Sequence, residues 1–139
     1  MLIGNYLHTV DDKGRLFIPA KLREALAFTF IITKGLDNCL YGYSMDEWKT
    51  FEEKLSVQPT AKARNISRFL FASAVSVTAD KQGRVVLPAS LRSFAGLTKD
   101  VVIVGVGQRI EIWDNEKWLS ICDSISSEEV AATMDELGF

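Results

Sequence analysis

In two places an aspartate stands four residues ahead of an arginine across a glycine-containing turn: Asp11 before Arg15, and Asp80 before Arg84. A carboxylate at that spacing can reach across the mouth of a tight hairpin and hold the guanidinium in one pose. A pre-oriented arginine presents a planar fork of donors, which suits phosphate or the edge of a guanine. Lys13 and Lys81 sit in or beside the same turns, and Lys21, Arg23 and Arg92 lie on the short predicted helices that follow. The competing reading is structural: an Asp–Arg pair that staples each turn, with the other cations on a solvated face. A surface ion pair contributes only about 0–1 kcal/mol, which is a weak reason for the same pair to stand twice.

Other chemistries find little to work with. A zinc site needs about four Cys, His or carboxylate ligands at set spacings. His8 is the only histidine and reads as a strand residue, and Cys39 and Cys122 have neither CxxC nor CxxH spacing. The nucleophile-elbow, Walker A and GxGxxG patterns do not occur. Gly105-Val106-Gly107 is a lone GxG and reads as a hairpin turn. The expectation is therefore no enzyme, no metal or cofactor and no small-molecule substrate. Trp48, Trp113 and Trp118 fall at core-like positions, not on a stacking platform for single-stranded nucleic acid.

The elements that must position the two arginines are written twice. Residues 11–23 align with residues 80–92 at an offset of 69, and seven of the 13 pairs are identical. The match continues more weakly, pairing Thr29–Gly35 with Lys99–Gly105 and Leu40–Tyr43 with Ile110–Trp113. Trp48, Phe51 and Leu55 pair with Trp118, Ile121 and Ile125. A copy of this size is small for a core of its own, so the two copies are expected to pack as one pseudo-twofold unit.

Within the first copy, Asn5–Val10 reads as a strand and Asp12-Lys13-Gly14 as the turn. Arg15–Ile18 is the returning strand, and Pro19 stands at the first position of a helix over Ala20–Leu26. Phe28–Thr33 and Asn38–Tyr43 form a second strand pair around Gly35. Ser44 and Glu47 make a capping box for a helix whose stripe is Trp48, Phe51 and Leu55. In the second copy Val75–Thr78, Gly83, Pro88, Ser90–Phe94, Gly96 and Val101–Val104 play the same parts. Asp114 caps the helix carrying Trp118, Ile121 and Ile125. Thr60–Ala72, after Pro59, is expected to be helical and shows Lys62, Arg64 and Arg68. Ser126 and Glu129 can cap a final helix with Val130, Met134 and Leu137 on one face. The resulting division is a first repeat over 5–48, a helical linker over 49–73, a second repeat over 74–118 and an acidic helical tail over 119–139.

The 139 residues are 47% hydrophobic and 24% charged, a globular composition for one domain. The net charge is −2, unevenly placed: residues 1–69 carry +2 and residues 70–139 carry −4. From Cys122 onward there are five acidic residues and no Lys or Arg. Net acidity thus gathers in the tail, away from the basic hairpins, and a basic face on a mildly acidic protein is a footprint for DNA. No apolar run is long enough to span a membrane, and the first residues lack the basic region of a signal peptide. With unpatterned cysteines, this reads as a cytoplasmic protein with reduced thiols.

The doubled D-x-x-x-R, each followed by a Pro-Ala-x-Leu-Arg segment, resembles the MraZ family, whose chains carry two AbrB/SpoVT-like repeats. Gly4–Asp11 and Arg68–Ala72 add to the resemblance, which covers nearly the whole chain. It implies a mainly β fold with short helices, in which two strand-hairpin/helix repeats form one pseudo-twofold, swapped-hairpin β-barrel. It also implies a transcriptional regulator, in the cytoplasm and on the nucleoid, that binds double-stranded DNA upstream of its own division and cell-wall operon. Rings of subunits would present hairpins to short repeated boxes. On that footing Arg15 and Arg84 contact DNA, oriented by Asp11 and Asp80, while Lys13 and Lys81 touch phosphates. Arg23 and Arg92 either join that surface or pair with acidic groups at barrel or subunit contacts. Gln82 stands where the first copy has Lys13, so the two turns arrange their charge differently. The competing class is a protein-binding module of antitoxin type, against which the short, apolar-striped tail counts.

Overall fold

Both copies spell the same series of elements. The first contains β1 (Leu2–Thr9), β2 (Arg15–Phe17), α1 (Ala20–Leu26), β3 (Thr29–Lys34), β4 (Leu40–Ser44) and α2 (Met45–Ser56). Next comes α3 (Thr60–Ile66), continued by a π-helical turn over Ser67–Phe71. The second copy contains β5 (Val75–Thr78), β6 (Arg84–Val86), α4 (Ala89–Phe94), β7 (Asp100–Gly107), β8 (Ile110–Asp114) and α5 (Asn115–Ser124). A last helix, α6 (Ser127–Glu136), follows. These elements come from a computed structural model that describes residues 1–139. No helix is long and apolar enough to cross a membrane.

The strands on either side of each turn were expected to pair with one another. At the first turn they do so through a single bridge, Val10 to Leu16. Their longer pairings are instead with strands of the other copy. β1 runs antiparallel to β7, with Tyr6 opposite Ile103, and β5 runs antiparallel to β3, with Val77 opposite Phe30. β2 pairs with β6, placing Leu16 opposite Val85. A three-residue strand can form only a short ladder with its neighbour in sequence. Crossing to the other copy lets it bury its apolar residue against the equivalent residue there.

The strand order is β1-β7-β8-β4-β3-β5 in a six-stranded sheet, with β2-β6 as a separate two-stranded ribbon. The fold is therefore mainly antiparallel β with short helices, built from two repeats. Its hydrogen-bonded ladder does not close into a barrel, because β1 and β5 are the free edges of the sheet. A pseudo-dyad runs through it. Leu16 faces its own equivalent Val85 in the ribbon, and Tyr41 faces its equivalent Glu111 in the β4–β8 pair.

Register departs from the sequence alignment in one place. The letters of Thr29–Gly35 match Lys99–Gly105, but the pairings equate Phe30 with Val101 and Ile32 with Ile103, one residue further on. Burial decides it: Phe30, Ile32, Val101 and Ile103 are all fully buried in the main core. A one-residue slip in a strand turns every side chain to the other face. Gly105 and Gly107 accordingly lie within β7 and not in the hairpin turn, which Gln108 and Arg109 supply.

The main core lies between ribbon, sheet and short helices. It gathers Leu16, Ile18, Leu22 and Leu26 with their counterparts Val85, Leu87, Leu91 and Ala95. Pro19 and Pro88 stand just before α1 and α4 with extended ψ of 142° and 145°, as N-caps and not as first helical residues. Ser44 Oγ accepts from the Glu47 N–H at 3.2 Å, and Ser126 Oγ accepts from the Glu129 N–H at 3.4 Å, so both serine caps form. Asp114 does not cap α5 with its side chain: its Oδ1 accepts from Thr98 Oγ1 at 2.9 Å. Trp48 and Trp113 are buried, and Trp48 lies 4.6 Å from the Phe71 ring, tying the linker to α2.

Leu16→Ala removes a fully buried side chain at the dyad. It is expected to cost about 2–5 kcal/mol, read as a lower midpoint in urea. Unfolding should remain a single transition, since both copies contribute to one core.

Candidate nucleic-acid interface

Each turn is built from its aspartate outward. Asp11 Oδ1 accepts from the backbone N–H groups of Lys13 and Arg15, both at 2.9 Å, and Oδ2 accepts from Arg15 Nε at 2.6 Å. Asp80 repeats the set, with Gln82 and Arg84 N–H at 2.9 Å and Arg84 Nε at 2.9 Å. Gly14 and Gly83 close the turns at φ of +78° and +81°, in the left-handed region that glycine enters freely.

The copies then brace one another. Ile18 N–H donates to the Gly83 carbonyl at 2.9 Å, and Leu87 N–H donates to the Gly14 carbonyl at 2.9 Å. Arg23 Nε donates to the Ile18 carbonyl at 2.7 Å, and Arg92 Nε donates to the Leu87 carbonyl at 3.0 Å. Their guanidinium groups lie against the opposite copy's turn. A methyl group on Gly83 would come 2.7 Å from Arg23 Cζ, and one on Gly14 would come 3.0 Å from Arg92 Nε. Glycine is thus favoured for its φ, and any larger residue would also have to push the packed guanidinium aside. Within the chain neither Arg23 nor Arg92 pairs with an acidic group; both donate to backbone carbonyls.

With Leu16 and Val85 pointing into the core, the other ribbon residues face outward. Arg15 stands opposite Val86, and Arg84 stands opposite Phe17. The two arginines therefore occupy diagonal positions on one face, a spacing of roughly 7–8 Å between such residues. Each spends its Nε on its aspartate. The terminal nitrogens make no hydrogen bond within the chain, and about a third of each side chain is exposed, 32% for Arg15 and 31% for Arg84. Lys13 and Lys81 are exposed at the turn tips in non-equivalent places, and Lys21 is exposed on α1. The arrangement can present two fixed, planar cations and two mobile ones to an anionic surface.

The backbone N–H of Arg15, ahead of its side chain, holds the Asp11 carboxyl below the ordinary range; the Arg84 N–H does the same for Asp80. No three His, Cys, Asp or Glu side chains converge as they would to hold a metal ion.

A second polar group, at the other end of the dyad, was not found from sequence. Glu111, nearly buried, accepts from Arg109 Nη2 at 2.8 Å and from Trp113 Nε1 at 3.0 Å. Arg109 Cζ lies 4.0 Å from the Tyr41 ring centre. Nearby, burial pushes the Cys39 thiol up to about 12. The one available signal was a lone glutamate between two isoleucines, Ile110 and Ile112, in an otherwise apolar strand.

Comparison with known families agrees with this doubled geometry. A family model described as "MraZ protein, putative antitoxin-like" matches residues 1–69 and again residues 70–137. The chain belongs to the MraZ family. Among its MraZ relatives is one from Caldicellulosiruptor saccharolyticus, 53% identical over 99% of each chain. Another, from Caldicellulosiruptor bescii, is 51% identical over 99% of each. A third, from Caldanaerobacter subterraneus subsp. tengcongensis, is 51% identical over 97% of each. All three bear the name "Transcriptional regulator MraZ".

Folding keeps both turn carboxylates ionised more strongly than the unfolded chain does. Their contribution is complete above the unfolded value of 3.8 and is lost as pH falls through the lower native value. The Nε–H resonances of Arg15 and Arg84 are therefore expected to hold still between about pH 7 and about pH 5 and to move only in stronger acid.

Proposed function

We propose that this chain is a sequence-specific DNA-binding transcriptional regulator whose reading heads are the two Asp-x-x-x-Arg turns. The observation that carries the proposal is the outer face of the β2–β6 ribbon. There Arg15 and Arg84 are fixed in matching poses by Asp11 and Asp80, with their terminal nitrogens unspent. A surface pair contributes little stability, whereas a guanidinium held ready loses less freedom on binding a guanine edge or phosphate. The names of the relatives support the same reading.

In this reading Arg15 and Arg84 contact base edges, and Lys13 and Lys81 contact phosphates. Arg23 and Arg92 hold each turn from beneath, as their bonds to Ile18 and Leu87 suggest. The repeats complete the AbrB-like swapped-hairpin barrel as a functional unit, with 5–48 and 74–118 as its halves, 49–73 as the joining helices and 119–139 as the tail. Subunits form a ring that sets successive hairpin pairs on short repeated boxes in the promoter of the chain's own division and cell-wall operon, on the nucleoid. Tethered contacts raise avidity by roughly 10²–10⁴ when they engage together.

Replacing Arg15 or Arg84 by Ala is expected to cost about 1–3 kcal/mol of discrimination at one base pair. The double variant should bind upstream and scrambled DNA alike in fluorescence anisotropy. Replacing Lys13 or Lys81 should weaken both DNAs together and lower the salt slope by about 1. Unchanged discrimination in the Arg15→Ala/Arg84→Ala variant would overturn the site. Equal binding of both DNAs by the unaltered protein would favour the antitoxin-type module.

A further inference from the structure

α6 sits in an unusual position for a helix. All residues from Ser127 to Phe139 are exposed. An isolated helix shorter than about 12–15 residues is marginal in water, and this one has ten. It nonetheless carries an apolar stripe of Val130, Met134 and Leu137, exposed by 44%, 44% and 69%. Its last turn holds Asp135 and Glu136 and no basic residue. Negative charge there opposes the helix dipole, which favours cations at that end. Both features call for a surface that is apolar in the middle and positive at the side.

The first copy offers one. After α2 the chain turns back as α3, in the same place in the order of elements that α6 holds after α5. Between α2 and α3 lies an open groove of about 570 Å³, with Leu55, Ala63 and Phe71 as its apolar lining, Arg64 and Arg68 on the α3 side and a single acidic residue, Glu52, on the α2 side. From Thr60 to Phe71 there are three basic residues, Lys62, Arg64 and Arg68, and no acidic one. From Ser127 to Glu136 there are four acidic residues and no basic one. Helix and the α3 side of the groove complement one another in charge, helix and groove floor match in apolar pattern, and an amphipathic helix laid into a groove through positions i, i+4 and i+7 is a familiar mode of recognition.

We infer that α6 of one copy of this chain docks into the α2–α3 groove of a second copy. Val130, Met134 and Leu137 cover Leu55, Ala63 and Phe71, while the glutamates and aspartates meet Arg64 and Arg68. The contact is head-to-tail: the second repeat of one subunit meets the first repeat of the next. Such heterologous contacts close into rings or run on as filaments, so the inference rests on the assembly proposed above and supplies its joint.

The test compares masses by native mass spectrometry and light scattering for the full-length chain and two variants. Arg64→Glu/Arg68→Glu alters the groove, and Val130→Asp/Met134→Asp alters the tail. All four positions are exposed, and circular dichroism checks that each variant folds. The expected result is an oligomer for the unaltered chain and monomers for each variant. Mixing the two variants should give a heterodimer and nothing larger, because one intact tail can meet one intact groove. An oligomeric parent whose mass survives either variant, or variants that stay monomeric when mixed, would overturn the contact and leave the assembly standing. A monomeric parent would overturn the assembly and the contact together.

Discussion

The antiparallel pairing of Arg15–Phe17 with Arg84–Val86 holds more of this molecule in place than its three residues a side suggest. It faces Leu16 with Val85 across the pseudo-dyad and so joins the two halves of the core. The backbone bonds from Ile18 to Gly83 and from Leu87 to Gly14 flank it, which means that each turn is held by the other copy. It also decides which side chains face out. Alternation along a strand leaves Arg15 and Arg84 on the outer face as a direct consequence of burying their neighbours. Core and candidate interface are thus two faces of one short ribbon.

The electrostatics of the turns follow from backbone geometry more than from the ion pair. Each aspartate accepts two main-chain N–H groups with one oxygen and the guanidinium Nε with the other. The turn would be ordered by the first oxygen even without the arginine. The second oxygen then determines how the arginine stands. Arg23 and Arg92 add a support from below, since each guanidinium packs where a side chain at the turn glycine would stand.

Much of this was legible in the chain. The duplicated segment, the glycine turns, the Ser44 and Ser126 caps and the short helices after Pro19 and Pro88 are local features, set by neighbours within a few residues. The Asp–Arg pairs were legible for the same reason, as both partners lie four residues apart. Partnership between strands was not, because nothing within β1 or β2 states which strand lies beside it. The one-residue shift between β3 and β7 was hidden because letter matching placed Gly35 on Gly105, while burial places Phe30 on Val101. The packing of Arg23 on Gly83 and of Arg92 on Gly14 could not be read either, since each turn lies 60 or more residues away in sequence, although the bonds of both arginines to Ile18 and Leu87 are local.

The peptide segment that joins the two copies has an effect beyond its own contacts. Two separate chains exchanging strands in this way would lose their shared core on dilution, as obligate dimers do. Joined by α3 and the turn after it, the halves meet at a local concentration set by the tether, and folding becomes a unimolecular event. The tether also releases the halves from identity. A symmetric dimer must carry the same residue at both ends, whereas here one end has become basic at Lys62, Arg64 and Arg68 and the other acidic at Glu128, Glu129, Asp135 and Glu136. A molecule with a nearly symmetric middle and unlike ends has a direction, which no pair of identical half-chains could acquire.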